Sequence, residues 1–171
     1  MKKNNIILAS IVLIVFVVAM QVFFSGEDGK NISSAAKLVT SEATKSVTNE
    51  KGDMKIPISS ITEDATFYSY DELDSKMEVI AVKASDGTIR TAFNTCQVCY
   101  DSGRGYYIQQ GDQLVCQNCG NSFSMDQVEL AQNGCNPVPI FDEQIKMNSD
   151  EIIIPKEFLK DAEGIFKSWK S

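Results

Sequence analysis

The chain has 171 residues, of which 43% are hydrophobic, and this length fits one modest domain with an attachment. It contains no His, which excludes Ser-His and Cys-His catalysis and any His-ligated metal. The formal net charge is −7, from 16 Lys plus Arg against 23 Asp plus Glu, and Arg90 and Arg104 are the only arginines, so the clustered positive charge of a nucleic-acid-binding protein is absent.

The first predicted element is a membrane anchor over residues 6–24. This stretch carries no charge and, at about 1.5 Å per residue, is long enough to cross a hydrocarbon core of about 30 Å. The positive charges of residues 1–5 and the acidic Glu27 and Asp28 predict a cytoplasmic N-terminus and an extracytoplasmic remainder. A cleaved signal peptide is the alternative, but residues 23–26 lack the small-residue pair of a cleavage site. We therefore expect an uncleaved, single-pass anchor.

Residues 25–53 follow as a predicted flexible spacer. They are rich in Ser and Thr and contain no aromatic residue, a composition that cannot bury enough surface to fold alone. Within them, residues 35–47 have the pattern of a marginal helix. The folded, extracytoplasmic domain is predicted over residues 54–171.

Strands dominate the first half of this domain. The predicted runs are Lys55 to Ile58, Thr66 to Tyr70, Met77 to Lys83 and Thr88 to Phe93. Asp86 and Gly87 predict a two-residue hairpin turn between the last two, because Gly tolerates the positive φ that such a turn needs. Near the C-terminus, residues 152–154 read as another strand.

Pro155 then ends that strand and opens an amphipathic helix. Its apolar residues recur at helical spacing: Phe158, Leu159, Ala162, Ile165, Phe166 and Trp169. We expect this face to cover the core, with a partner groove at Trp169 as the alternative.

The cysteines carry the most specific signal. Cys96 and Cys99 form one C-x2-C pair, and Cys116 and Cys119 form a second pair, separated from the first by sixteen residues that read as a β-hairpin. Two such turns brought together predict a four-thiolate metal site of the zinc-ribbon or rubredoxin-like type. The fold class is therefore α+β: a small β-rich domain with a four-cysteine knuckle and a C-terminal helix. Disulfides and a thiol–disulfide relay are the alternatives.

Cys135 makes the cysteine count odd. The Gly before it and two nearby Pro stiffen its loop. It is an additional or alternate ligand, a ligand to a second iron, or a buried small side chain.

Three strings, AFNTCQVCY, GYYIQQGDQLVCQNCGNSF and GCNPVPI, resemble the FtrD-like family of membrane iron–sulfur-containing proteins, a domain of unknown function in exported bacterial proteins. The resemblance covers roughly residues 54–168. It implies that Cys96, Cys99, Cys116, Cys119 and Cys135 are metal ligands. It also implies a place beside iron permeases or ABC-type transporter subunits.

The export signal and the family name point in different directions as to the metal centre. A folded cluster protein needs the twin-Arg route, whereas this N-terminus has Lys2 and Lys3 and no Arg pair, so zinc or mononuclear iron loaded after export is the alternative to a cluster. The leading hypothesis is an accessory protein of iron uptake that transfers electrons or hands on metal. The other hypothesis is a docking module of an ABC-type transport complex stabilised by a zinc knuckle. No catalytic residues are assigned, because no motif positions a pair of carboxylates.

Overall fold

The computed structural model of the chain describes residues 38–39, 44–130 and 134–171. Its strands are β1 Leu38–Val39, β2 Thr44–Lys45, β3 Val47–Thr48, β4 Met54–Pro57, β5 Thr66–Tyr70, β6 Met77–Lys83, β7 Ile89–Cys96, β8 Tyr107–Gln110, β9 Gln113–Cys116, β10 Ser122–Ser124, β11 Pro137–Ile140, β12 Lys146–Met147 and β13 Glu151–Ile154. Helix α1, Lys156–Ala162, continues as a 3-10 turn, Glu163–Phe166. Shorter 3-10 turns span Ile58–Ser60, Tyr100–Ser102, Met125–Gln127 and Asp142–Gln144. The described part is therefore β-rich with one short C-terminal helix, as predicted.

The strands form three sheets. The central sheet has the order β11-β7-β6-β5-β2, and its only parallel pair within the described residues is β2 with β5. A second sheet has the order β1-β8-β9-β10, and a third has the order β12-β13-β4-β3.

The central sheet buries both of its faces, because side chains alternate along a strand. Val79 and Phe93 lie in a first hydrophobic core, whereas their neighbours Ile80 and Ala92 lie in a second core on the opposite face. This two-sided burial explains why residues 79–82 of β6 are a continuous apolar run rather than an alternating one.

The first core is closed by β4, β13 and the C-terminal helix. Leu159 and Phe166 are fully buried there, and the remaining residues of the predicted apolar face pack against them: Phe158, Ala162, Ile165 and Trp169. The prediction that this helix covers the core is therefore confirmed. Pro155 caps the N-terminus of α1, also as predicted.

The second core is covered by the β8–β9 hairpin. Tyr107 and Leu114 fill it, and Cys96, Cys99 and Cys116 belong to it. Three of the five cysteines are thus part of a hydrophobic core rather than of a surface loop.

Two local predictions are wrong. Within the predicted marginal helix over residues 35–47, Leu38–Val39 and Thr44–Lys45 are strands β1 and β2, and Val47 begins β3; these strands pair with β8, β5 and β4. Exposed strand edges, rather than the apolar content of the segment itself, account for this pairing. The loop between β6 and β7 is also longer than the predicted two residues. The Ala84 N–H donates to the Thr88 carbonyl, so three residues lie between the hydrogen-bonded pair. Gly87, the last of the three, has φ 84°.

The predicted anchor at residues 6–24 lies outside the described residues. Within residues 38–39, 44–130 and 134–171, no helix has the length and apolar character needed to cross a bilayer.

Candidate metal centre

The first C-x2-C pair lies where β7 ends. Cys96 is the last residue of the strand, and the chain then turns so that the backbone N–H of Cys99 donates to Cys96 Sγ at 3.3 Å. Ser102 closes the following 3-10 turn by donating its backbone N–H to the Cys99 carbonyl at 3.0 Å. This is a knuckle turn, in which backbone N–H groups point at sulfur and stabilise the thiolate.

Gly105 allows the chain to pass close beside this knuckle. Its carbonyl accepts the N–H of Cys96 at 2.6 Å, and a Cβ at Gly105 would clash with the backbone carbonyl of Cys99. Backbone cannot move aside as a flexible side chain can, so only Gly fits here. This role of Gly105 is not apparent from the sequence pattern.

The second C-x2-C pair lies at the end of the predicted hairpin, which the structure confirms as β8 and β9 joined at Gly111 and Asp112. Cys116 ends β9, and the N–H of Gly120 donates to its carbonyl at 2.9 Å. Gly120 has φ 75°, the left-handed conformation that Gly adopts without strain.

Asn94 joins the two knuckles. Its Oδ1 accepts the backbone N–H of Tyr107 at 2.7 Å, and its Nδ2 donates to the Tyr107 carbonyl at 3.2 Å and to Glu78 at 2.5 Å. Trp169 Nε1 donates to the Asn94 carbonyl at 2.6 Å. Because Asn94 lies two residues before Cys96, these bonds fix the start of β8 beside the first knuckle. Asn94 is not among the predicted site residues, although a polar side chain in an apolar strand is a signal that the sequence offers.

Cys135 is brought to the first knuckle by the segment before β11. Gln97 donates its backbone N–H to the Asn136 carbonyl at 3.0 Å and its Nε2 to the Pro137 carbonyl at 3.3 Å. The Tyr107 hydroxyl donates to the Cys135 carbonyl. Cys135 Sγ consequently lies 3.7 Å from Cys99 Sγ.

All five cysteines are free thiols, and their sulfurs form two compact sets. In the first set, the sulfurs of Cys96, Cys99 and Cys135 lie within 4.8 Å of one another. In the second set, the same holds for Cys99, Cys116 and Cys119. Cys99 belongs to both sets. The structure therefore gathers both predicted pairs and Cys135 in one place.

The surroundings of the five thiols raise the pKa of some and lower the pKa of others. Burial raises the pKa of Cys99, and it raises the pKa of Cys116 to about 12 from the usual 9.0. The nearby Cys119 thiol, followed by burial, raises the pKa of Cys135.

The other two thiols ionise more readily. Burial alone would raise the pKa of Cys96, but hydrogen bonds from the Tyr107 hydroxyl and from backbone N–H groups outweigh it and lower the pKa. For Cys119, the backbone N–H of Asn121 and the neighbouring thiols outweigh burial and again lower the pKa. Crowded thiolates repel one another, so full ionisation of the group needs a cation, which a soft metal ion supplies.

The donor set fits the metals that thiolates bind, namely zinc, iron and iron–sulfur clusters. Cys96 and Cys116 are 0% and 1% exposed, whereas Cys119 is exposed. The centre would thus be held by buried ligands and reach solvent on the side of Cys119.

Comparison with curated proteins and with solved structures finds no match for this chain. A family described as "Membrane iron-sulfur containing protein FtrD-like" matches residues 61–166, which is more than half of the chain and contains all five cysteines. The resemblance seen in the three cysteine-containing strings is thereby confirmed, and the chain belongs to the FtrD-like family of membrane iron–sulfur-containing proteins.

Proposed function

We propose that this protein is a membrane-anchored, extracytoplasmic thiolate–metal protein that serves iron uptake, either by electron transfer or by handing metal to a transporter. The convergence of five free thiols from three separate loops carries the proposal. The family description supports the membrane and the iron–sulfur parts of it. The anchor at residues 6–24, the cytoplasmic residues 1–5 and the folded domain after the spacer belong to the same proposal.

The protein's own residues have distinct tasks under this proposal. Cys96, Cys99 and Cys116 hold iron within a hydrophobic core, where low polarity strengthens the attraction between thiolate and cation. Iron bound there supplies a one-electron couple. Cys119 is exposed, so it lies on the side of the centre at which a partner would exchange electrons or receive metal. Iron permeases and ABC-type transporter subunits are the proposed partners.

The test is a joint analysis of metal, acid-labile sulfide and the visible spectrum of the full chain, purified anaerobically in detergent. We expect iron, with or without sulfide, and a visible band that reduction bleaches and reoxidation restores. Stoichiometric zinc without colour would contradict electron transfer. A Cys99→Ser variant should lose the band, whereas Val98→Ala, at an exposed neighbour, should keep it.

A second candidate is a structural zinc module that docks in an ABC-type transport complex. The burial of Cys96, Cys99 and Cys116 in the second core favours it, because zinc at such a place contributes folding energy directly. This candidate predicts a colourless protein that unfolds in part when zinc is removed and shows no redox couple.

A further inference from the structure

The grouping of the sulfurs is unlike that of a single tetrahedral ion. Four sulfurs bound at about 2.3 Å to one ion lie about 3.8 Å from one another, in a single compact set of four. Here the compact sets contain three sulfurs each: Cys96, Cys99 and Cys135, and then Cys99, Cys116 and Cys119. Cys99 is common to both, at a position where one sulfur can face two ions.

Cys135 is held beside the first knuckle by hydrogen bonds to its own carbonyl and to the two residues after it. Its segment is joined to the first knuckle by two hydrogen bonds from Gln97, and its own carbonyl accepts the hydroxyl of buried Tyr107. The separation of 3.7 Å between the sulfurs of Cys135 and Cys99 matches that expected for two ligands of one ion. The fifth cysteine is therefore positioned as a ligand and completes the first set.

The charge of the site favours more than one cation. One divalent ion bound by four thiolates leaves a net charge of about −2 and a fifth sulfur within van der Waals distance of a bound one. Two divalent ions with five thiolates leave only about −1. The hydrogen bond from the Cys99 N–H to Cys96 Sγ stabilises part of this remaining charge.

We propose that the site binds two thiophilic divalent metal ions that share the Cys99 thiolate. One ion is bound by Cys96, Cys99 and Cys135, and the other by Cys99, Cys116 and Cys119. Three thiolates do not complete the usual shell of four, so each ion keeps a position for an incoming ligand. This inference rests on the proposed thiolate–metal centre and adds the number of ions and the bridging residue.

The test uses the full chain in detergent, stripped of metal under reducing, anaerobic conditions and reloaded with cadmium as a thiophilic probe. Native mass spectrometry counts the bound ions, and NMR of a spin-half cadmium isotope reports their ligands. We expect two ions per chain and two resonances, each split by coupling through the shared sulfur. One ion with one resonance would overturn the two-ion proposal and leave the metal centre intact. No bound cadmium would overturn both.

Variants of each set sharpen the test. Cys135→Ser should lower the count from two ions to one and abolish the splitting, and Cys119→Ser should do the same from the other set. Val98→Ala, which removes no sulfur, should keep two ions and the splitting. Two coupled ions in Cys135→Ser would overturn the assignment of this residue. The count and splitting in the unaltered chain decide the proposal even where a Cys variant fails to fold.

Discussion

The two faces of the central sheet bury very different cores. On one face, Phe93 stacks on Phe158 with ring centroids 5.6 Å apart and meets Phe166 edge-on at 5.7 Å. On the other face, the same strand places buried Asn94 and Cys96 beside the β8–β9 hairpin. One strand thus supplies an aromatic ring to one core, and Ala92, an amide and a sulfur to the other.

This difference separates two sources of stability. The first core is closed by apolar side chains, so its stability is set by buried area and close packing. The second core contains three buried thiols, whose ionised form loses its hydration there and needs a cation. We therefore expect the second core alone to depend on metal.

Metal removal should produce the largest effect. Chelation, or Cys116→Ser in metal-loaded protein, should lower the free energy of unfolding by about 5 kcal/mol, part of the ~10–16 kcal/mol that structural zinc gives to zinc-finger peptides. Hydrogen exchange should show where the loss falls: faster exchange in β8 and β9, with β4 and β13 still protected.

The reason for that loss is testable with a second substitution. Cys116→Ala lacks the ligand but buries no hydroxyl, so it should behave as Cys116→Ser does if the lost sulfur is the cause. After chelation, both variants should differ little from the unaltered chain. Equal protection of all four strands after chelation would contradict the separation of the two cores.

A substitution in the first core should lower the free energy of unfolding by the same amount with and without bound metal. Phe93 is 1% exposed, and Phe93→Ala should lower the free energy of unfolding by about 3–5 kcal/mol, because it leaves a cavity between two aromatic partners. Urea unfolding with and without chelator measures this effect. If the loss changed markedly on chelation, the two cores would be coupled rather than separate.

Much of the first core is predictable from the sequence, because short local patterns indicate its strands and its helix. The strands Thr66–Tyr70 and Met77–Lys83 have the bounds that their β-branched and aromatic runs predict. The C-terminal helix follows from Pro155 and from apolar spacing. Strand pairing by residues 44–48 could not be predicted, since their polar composition gives no signal and the edges that they join lie elsewhere in the chain.

The metal site is likewise predictable from the sequence only in part. The C-x2-C spacing predicts two turns whose sulfurs face one centre, and the structure does bring the pairs together. The sharing of Cys99, the approach of Cys135 and the bonds of Asn94 could not be predicted. They depend on how loops distant in sequence pack, for example on the contact between Gln97 and Asn136.

A smaller, local effect is expected at Gly105. Gly105→Ala should lower the free energy of unfolding by about 2 kcal/mol, because its Cβ would clash with the Cys99 carbonyl and force backbone to move. Metal affinity should fall with it, since Cys99 moves. Gly164→Ala is the matched control: no atom lies within 4 Å of the added Cβ, so stability should be unchanged or slightly increased. Isothermal titration with cadmium and urea unfolding measure both variants.

The smallest effect is expected at the turn between β6 and β7, the two strands that contribute side chains to both cores. Hydrogen bonds from the side chain and backbone N–H of Thr88, with help from Arg90, lower the pKa of Asp86 to about 2 from the usual 3.8. The folded-state pKa is the lower one, so this stabilisation is present above about pH 4 and is lost as the pH falls toward 2.

Asp86→Asn should therefore be less stable than the unaltered chain near neutral pH, and the gap should close on acidification. Asp74→Asn, at another exposed position, controls for the change in net charge. Because β6 and β7 contribute to both cores, hydrogen exchange should rise by similar factors in β4 and in β9. An increase confined to β9 would show that the turn supports the metal-dependent core alone, and the division between the two cores would then extend into the strands they share.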